Sequence, residues 1–151
     1  MFKRTVLFLI LNFSALAIGS LFTNSGVSSE WYQNLSKAPW TPPGWVFGVA
    51  WSSIMFFFAI YMAYLIKLKP KKTIIIFYSI QWVLNIVWNP VFFYFQEITL
   101  GLICISLLTA HIILLFFKYL KEQRIKTLLL APYGIWLIIA TSLNAYIYLY
   151  N

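Results

Sequence analysis

The stretch of this chain that decides its fold is APWTPPGWVFGVAW, residues 38–51. It places three prolines, two glycines and three tryptophans at one junction between a loop and an apolar run. Because proline fixes φ and lacks an N–H, Pro42 and Pro43 are typical of a helix entry, where the first N–H groups have no partner within the helix. The tryptophans add broad apolar faces with one donor each, while Gly44 and Gly48 leave room for another backbone or a ligand. The stretch therefore predicts a rigid loop that leads into a helix and carries the walls of a binding site.

The rest of the composition is that of a membrane protein. Of the 151 residues, 62% are hydrophobic and only 9% are charged, which leaves too little polar surface for a soluble domain of this size. Five apolar runs are long enough to cross a hydrocarbon core of about 30 Å at about 1.5 Å per residue. They are residues 5–22, 44–66, 73–95, 98–117 and 127–150. We therefore predict an all-α integral membrane protein, a five-transmembrane-helix bundle that forms a single domain over residues 1–151.

The net charge of +8 follows the predicted topology. If the five helices alternate in direction, one side collects ten of the eleven basic residues: Lys3, Arg4, Lys67, Lys69, Lys71, Lys72, Lys118, Lys121, Arg124 and Lys126. The other side has only Lys37. The positive-inside rule then predicts a cytoplasmic N-terminus, with the loop of residues 23–43 and the C-terminus outside. Topology accounts for the basic excess, and we expect no nucleic-acid partner.

The N-terminal segment has a second interpretation. Lys3 and Arg4, a short apolar run and the small residues at 15–17 also fit a cleaved signal peptide. Removing it would leave the orientation of the other four helices unchanged, so charge counting does not decide between the two. We favour a retained first helix, because Asn12, Ala15 and Gly19 at helical spacing form a packing face.

Asp, Glu, Lys and Arg are absent from the middle of every predicted helix. The three acids, Glu30, Glu97 and Glu122, fall in loops or at helix ends, whereas ion-coupled transporters normally keep such a group within the membrane. We interpret Glu97 as a solvated turn carboxylate. His111 is the only histidine and Cys104 the only cysteine, so we predict no metal site and interpret His111 as a hydrogen-bonded or interface-facing side chain.

Uncharged polar residues form stripes on two of the helices. On the third helix, Gln81, Asn85 and Trp88 recur at i, i+4 and i+7. The fifth helix has a comparable stripe at i, i+3, i+7 and i+11, made of Tyr133, Trp136, Ala140 and Asn144. Any single amide could simply link helices, at a gain of about 0.6 kcal/mol.

Depth in the membrane favours a shared site for these stripes. Trp51 lies about two turns into the second helix, and Asn85, Trp88, Ala140 and Asn144 reach the same level from the third and fifth helices. Pro90 kinks the outer end of the third helix, a distortion that is tolerated beside a cavity. We predict an aromatic cavity in the outer half of the bundle, with loop 23–43 as its lid.

Three motifs resemble the translocator protein family, which is also called TspO/MBR, tryptophan-rich sensory proteins or peripheral-type benzodiazepine receptors. They are PWTPPGWVF at residues 39–47 with Trp51, LNIVWNPVFF at 84–93, and PYGIW at 132–136 followed by ATSLN at 140–144. The three occur in order on the expected helices, and the resemblance covers the whole chain. It is closest in kind to bacterial members.

The resemblance implies a bundle in the bacterial cell membrane, commonly homodimeric, that binds porphyrins such as protoporphyrin IX and isoquinoline or benzodiazepine drugs beneath the first loop. It also implies light-dependent porphyrin degradation, with no intrinsic cofactor and with membrane lipids as the other partners. The pocket residues carried over are Trp31 or Tyr32, Pro42, Trp51, Asn85, Trp88, Trp136 and Ala140, to which the stripe on the fifth helix adds Asn144. Trp51 and Trp136 are the candidate catalytic residues, as electron donors or quenchers of the bound porphyrin.

Two other functions fit the same sequence. One is an uncoupled transporter of porphyrins or other hydrophobic small molecules, since facilitated diffusion needs no intramembrane charge. The other is a scaffold whose aromatic residues only pack. The cholesterol motif credited to mammalian members is incomplete, because it needs a basic residue after a tyrosine and the tyrosines at 146, 148 and 150 are followed only by Asn151. The sequence therefore does not decide whether cholesterol binds.

Overall fold

The computed structural model describes residues 1–68 and 71–151, and within them the chain is helical with short connections. The elements are α1 (Phe2–Val27), α2 (Glu30–Asn34), α3 (Gly44–Leu68), α4 (Lys71–Asn89), a π-helical turn (Pro90–Tyr94), α5 (Ile98–Lys118), α6 (Leu120–Gln123), a 3-10 segment (Arg124–Leu130) and α7 (Ala131–Tyr150). Five stretches are long and apolar enough to cross a membrane: α1, α3, α4 with its π turn, α5, and the run from Leu120 to Tyr150. The predicted all-α, five-helix integral membrane fold is confirmed.

Some helix ends differ from the predicted bounds. α1 continues through residues 23–27, where the sequence predicts a loop, because Gly26 lies directly against Phe93 and this contact supports the last turn. At the other end of the chain α7 begins only at Ala131, since Pro132 suits the entry of a new helix and residues 124–130 take the tighter 3-10 form. The predicted distortion at Pro90 is confirmed, because α4 ends at Asn89 and the chain continues as a π turn.

The connections gather at two ends of the bundle. The basic end carries Lys3, Arg4, Lys67, Lys71, Lys72, Lys118, Lys121, Arg124 and Lys126. Lys69 belongs to the same predicted loop and lies outside the described residues. The loop end carries residues 28–43 and 95–97, and Lys37 is the one basic residue there in the part of the chain that the structure describes.

The half of the bundle near the basic end is densely packed. Its interior is filled by side chains of α3, α4, α5 and α7 that are 0–1% exposed, including Met55, Phe58, Met62, Leu65, Ile74, Leu108, Ile112 and Leu137. Phe58 is central, since its ring stacks on Tyr78 at 6.0 Å and meets Tyr133 edge-on at 5.4 Å. These ring contacts join α3, α4 and α7 into one core.

Buried amides link the helices within this packed half. Asn12 donates from Nδ2 to the Met55 carbonyl oxygen at 2.9 Å and accepts from the Tyr78 hydroxyl at 2.7 Å, so one side chain joins α1, α3 and α4. Gln81 donates from Nε2 to the Tyr133 hydroxyl at 2.7 Å, which joins α4 to α7. The predicted packing face on α1 is confirmed, since Asn12, Ala15 and Gly19 are all buried.

Among the described residues, three lysines lie over aromatic rings. Lys118 Nζ is 4.4 Å from the ring centroid of Phe77, Lys126 Nζ is 4.0 Å from that of Tyr64, and Lys37 Nζ is 4.8 Å from that of Tyr32. At these distances a cation is attracted by the negative face of the ring. The first two contacts hold side chains at the basic end, and the third holds one at the loop end.

Candidate ligand-binding site

The loop-end halves of α1 and α3 are separated by a cavity of about 1030 Å³. The position of α1 follows from two of its glycines, which allow α4 and the π turn to approach closely. A Cβ atom on Gly19 would stand 2.6 Å from Nδ2 of Asn89, and one on Gly26 would overlap the side chain of Phe93. α1 therefore lies against α4 and the π turn at this end, and open space remains between it and α3.

One wall of the cavity is aromatic. Trp51 of α3, Trp88 of α4 and Trp136 of α7 all border it, as does Phe47 of α3. The rings support one another: Phe47 meets Trp136 edge-on at 5.3 Å, and Trp88 stacks on Phe92 at 5.5 Å with an interplanar angle of 13°. Rings held by such contacts form a preformed apolar surface.

A few polar groups face the cavity from the same helices. Asn144 accepts from Trp88 Nε1 at 3.3 Å and donates to the Ala140 carbonyl oxygen, so its amide is occupied within the protein. By contrast, the Asn85 side chain lines the cavity and has no hydrogen-bond partner within residues 1–68 and 71–151. Trp136 Nε1 is likewise buried without a partner in the described chain. The Asn85 amide is therefore suited to bind a polar atom of a ligand, whereas Trp136 Nε1 is enclosed by protein atoms and is not presented to the cavity.

The opposite wall comes from α1 and carries polar as well as apolar side chains. Its polar residues are Ser20, Thr23 and Asn24, continued at helical spacing by Ser28 just after the helix and joined by Asn89 of α4. Thr23 donates from Oγ1 to Asn89 Oδ1 at 2.7 Å, which joins this wall to α4. Sequence reasoning missed the wall because it ended the first helix at residue 22. The signal was present, since the four side chains recur at i, i+3, i+4 and i+8.

Residues 28–43, here called the lid, cover the loop end of the cavity. Ser29 begins the short helix α2 by accepting from the Tyr32 backbone N–H at 3.2 Å. Tyr32, Gln33, Lys37 and Pro42 of the lid line the cavity. Burial raises the pKa of the Tyr32 phenol above its usual range, so its hydroxyl remains neutral and available as a donor at physiological pH.

The lid is fastened to α7 at two points. The Ser36 backbone N–H donates to Asn151 Oδ1 at 2.8 Å, and Asn151 Nδ2 donates back to the Ser36 carbonyl oxygen at 3.2 Å. Trp40 Nε1 donates to Ser142 Oγ at 3.1 Å, and the Trp40 ring meets Tyr146 edge-on at 5.5 Å. The contacts with Asn151 and Ser142 limit the movement of the lid segment that contains the prolines.

The structure brings together eight of the nine side chains predicted from the sequence. Those that line the cavity are Tyr32, Pro42, Trp51, Asn85, Trp88, Trp136, Ala140 and Asn144. Trp31 is the exception: it does not border the cavity, and its ring instead meets Phe92 edge-on at 5.6 Å. Successive residues of α2 point in different directions, which places Tyr32 on the cavity and Trp31 behind it.

His111 and Glu97, which we did not assign to the predicted site, do not line the cavity. His111 Nε2 is 2.9 Å from the Phe77 carbonyl oxygen and the side chain does not line the cavity, which confirms the hydrogen-bonded interpretation. Glu97 is exposed and precedes α5, where its carbonyl oxygen accepts from the Gly101 N–H at 2.8 Å. This agrees with a solvated turn residue.

A family model described as the TspO/MBR family matches residues 6–149, which include the residues that line the cavity and nearly all of the five spanning stretches. The chain belongs to the TspO/MBR family. Among relatives, a tryptophan-rich sensory protein of Cereibacter sphaeroides is 31% identical over 76% of this chain and 73% of its own length. The tryptophan-rich protein TspO of Archaeoglobus fulgidus is 35% identical over 88% of this chain and 87% of its own. Protein CrtK of Rhodobacter capsulatus is 27% identical over 85% of this chain and 80% of its own length. This TspO/MBR protein is an integral membrane protein with bacterial and archaeal relatives.

Proposed function

We propose that this TspO/MBR protein binds porphyrins such as protoporphyrin IX, and isoquinoline or benzodiazepine-type ligands, in the cavity beneath the lid. One observation carries the proposal: eight side chains chosen from separate sequence motifs surround a single cavity of about 1030 Å³. That volume is at the upper end of the roughly 300–1,000 Å³ typical of small-molecule sites. A large, flat, conjugated ligand fits both its size and its aromatic wall.

The two walls suit the two kinds of surface on a porphyrin. The conjugated face would lie on Trp51, Trp88 and Trp136, where stacking and apolar contact supply affinity. The unpaired amide of Asn85 would fix its orientation through a polar atom of the ring or its substituents. Carboxylate substituents would lie toward the α1 wall and Lys37, which also lines the cavity.

We further propose that porphyrin bound in this way is degraded in light and oxygen. The tetrapyrrole absorbs the light, dioxygen is the oxidant, and the protein contributes no cofactor of its own. Trp51 and Trp136 would act as electron donors or quenchers beside the excited ring. Tyr133 lies 6.1 Å from Trp51 between ring centroids and holds that indole edge-on against α7.

The test is an anaerobic titration followed by illumination in air. Purified protein is titrated with protoporphyrin IX while tryptophan fluorescence and the Soret band are recorded, and the same sample is then illuminated. We expect saturable quenching and then loss of porphyrin absorbance. The double variant Trp51→Phe/Trp136→Phe should bind more weakly and lose most of the photodegradation.

Trp45→Phe is the matched control, because Trp45 is 71% exposed and does not line the cavity. It should behave as the parent protein in both stages. Absence of quenching at micromolar porphyrin would leave only the scaffold function. Binding without any protein-dependent loss of absorbance would keep the receptor role and exclude the degradation.

Transport is the second candidate, and the shape of the cavity favours it. The cavity extends from Lys37 in the lid to Gly44 and Gly48 on α3, where no atom lies within 4 Å of the position that a Cβ would take. The space beside these glycines would let a hydrophobic molecule enter the cavity. Saturable uptake of a labelled porphyrin into proteoliposomes, above that of empty vesicles, would support this function.

We also propose a homodimer in the bacterial cell membrane with the basic end in the cytoplasm. The dimer is proposed from the family resemblance, and the orientation from the basic residues, nine of which lie at the basic end in the described chain against Lys37 at the other. Reporter fusions after residues 68 and 151 should show opposite locations. Mass measurement of the detergent-solubilised protein tests the dimer.

A further inference from the structure

A second concave surface lies outside the cavity, in a groove between α4 and α5. The groove has a volume of about 640 Å³ and faces away from the packed interior. Ser79 and Val83 of α4 line it, opposite Leu107, Ala110, His111 and Leu114 of α5. Apart from Ser79 and His111 these side chains are apolar, so the surface suits a hydrocarbon chain.

Two lysines stand at the end of the groove that faces the basic end. Lys72 precedes Ser79 by seven residues and Lys118 follows His111 by seven. Seven residues make two helical turns, so each lysine is on the groove-facing side of its helix, about 10 Å nearer the basic end. Lys118 is further positioned by Phe77, whose ring lies 4.4 Å from Nζ and 5.4 Å from the His111 ring.

We propose that this groove binds one anionic phospholipid, with an acyl chain between α4 and α5 and the phosphate between Lys72 and Lys118. The dimensions agree with this occupant: Leu107 and Lys118 are eleven residues apart, about 16 Å along α5, which is close to the thickness of one hydrocarbon leaflet. The charge agrees as well, because basic pockets between spanning helices bind anionic headgroups. Lys71 and Lys121 add positive charge at the same end.

A second copy of the chain fits this groove less well. Closed dimers use the same surface on both subunits, so a dimer built on the groove would bring its lysines close to the lysines of the partner. Like charges at an interface repel, whereas a phosphate neutralises both. The inference does not rest on porphyrin binding, because the groove and the cavity are separate.

The test is native mass spectrometry of the full chain released from detergent after incubation with phosphatidylglycerol or with phosphatidylcholine of the same acyl chains. We expect one phosphatidylglycerol retained per chain and far less phosphatidylcholine. Lys72→Gln/Lys118→Gln should weaken phosphatidylglycerol binding by about 25-fold, because each lysine beside an anionic lipid contributes about fivefold to the affinity. The control Lys3→Gln/Lys67→Gln removes the same charge at the same end, but on α1 and α3. It should change phosphatidylglycerol binding by less than about twofold.

A second variant tests the groove itself. Ala110→Phe fills the groove and should abolish lipid retention, while Ile103→Phe, at a 50% exposed position of α5 outside the groove, should not. Equal retention of the two lipids, or equal loss in both lysine double variants, would overturn the proposal. So would an Ala110→Phe variant that retains phosphatidylglycerol but no longer dimerises, because the groove would then hold a second copy.

Discussion

Near the basic end, Met55, Phe58 and Leu65 of α3 are 0–1% exposed, whereas near the loop end Phe47 and Trp51 of the same helix border a cavity of about 1030 Å³. The difference arises from the position of α1, which Gly19 and Gly26 allow to lie against α4 and the π turn at the loop end. Side chains fill the interior near the basic end, whereas open space remains between α1 and α3 near the loop end. One half of the bundle thus provides stability, and the other provides room for a ligand at the cost of packing contacts.

The largest loss of stability should come from removing a large side chain from the packed half. Phe58→Ala removes a ring that contacts both Tyr78 and Tyr133, and should lower the free energy of unfolding by about 3 kcal/mol or more. Phe47→Ala removes a ring of the same size that borders open space, and should cost less than half as much. Thermal unfolding in detergent measures both. Equal losses would show that the two halves do not differ in packing.

A smaller effect should follow from a methyl group added at a close approach. Gly26→Ala places a Cβ in the side chain of Phe93, so α1 must shift and stability should fall by about 1–3 kcal/mol. Gly48→Ala is the matched control, because nothing lies within 4 Å of its added Cβ. It should be neutral or stabilising by up to about 1 kcal/mol, since alanine favours the helix. A Gly26→Ala protein as stable as the Gly48→Ala protein would contradict the close contact.

A third pair of variants compares a buried amide that forms a side-chain hydrogen bond with one that forms none in the described chain. Tyr133→Phe leaves the Gln81 amide without a partner and should cost about 1 kcal/mol of stability. Asn85→Leu removes an amide that has no partner in the described chain, so it should leave stability nearly unchanged and weaken porphyrin binding about tenfold. Unfolding and fluorescence titration of both variants check this. A reversed pattern would mean that the Asn85 amide serves the fold and not the ligand.

The smallest change in stability is expected at the lid. Asn151→Ala removes both hydrogen bonds to Ser36, which are exposed, and should alter the free energy of unfolding by less than about 0.5 kcal/mol. Because these bonds hold the lid, the ligand should leave roughly 2–5 times faster. Stopped-flow displacement of bound porphyrin measures the rate. Ser25→Ala, at an exposed site on α1, should show the parent rate, and an unchanged Asn151→Ala rate would exclude a latch at this residue.

The sequence was sufficient for the fold and for most of the predicted site, and the reasons are physical. Runs of apolar residues must span a membrane, and a proline in the last turns of a spanning helix must distort it, as Pro90 does. The polar and aromatic stripes on α4 and α7 could be placed at one level because depth along a helix is fixed by its rise. That is why Asn85, Trp88, Trp136 and Ala140 meet at one cavity.

The parts that sequence reasoning missed depend on contacts between distant segments. Residues 23–27 have the composition of a turn, yet Thr23 bonds to Asn89 and Gly26 packs on Phe93, and these contacts keep α1 helical. The choice between Trp31 and Tyr32 depends on the orientation of a five-residue helix, which Phe92 and the Ser29 cap determine. No local pattern could show that Trp40 would bond to Ser142, 102 residues away.

The contacts between lysines and aromatic rings do not depend on an acidic partner. A salt bridge is lost when its carboxylate is protonated, but the faces of Tyr32, Tyr64 and Phe77 do not titrate in acid. The sequence contains only three acidic residues against eleven basic ones, so protonation has few carboxylates to neutralise. The contacts of Lys37, Lys118 and Lys126 therefore persist on acidification. Of these three contacts, that of Lys37 with Tyr32 lies at the loop end, beside the cavity.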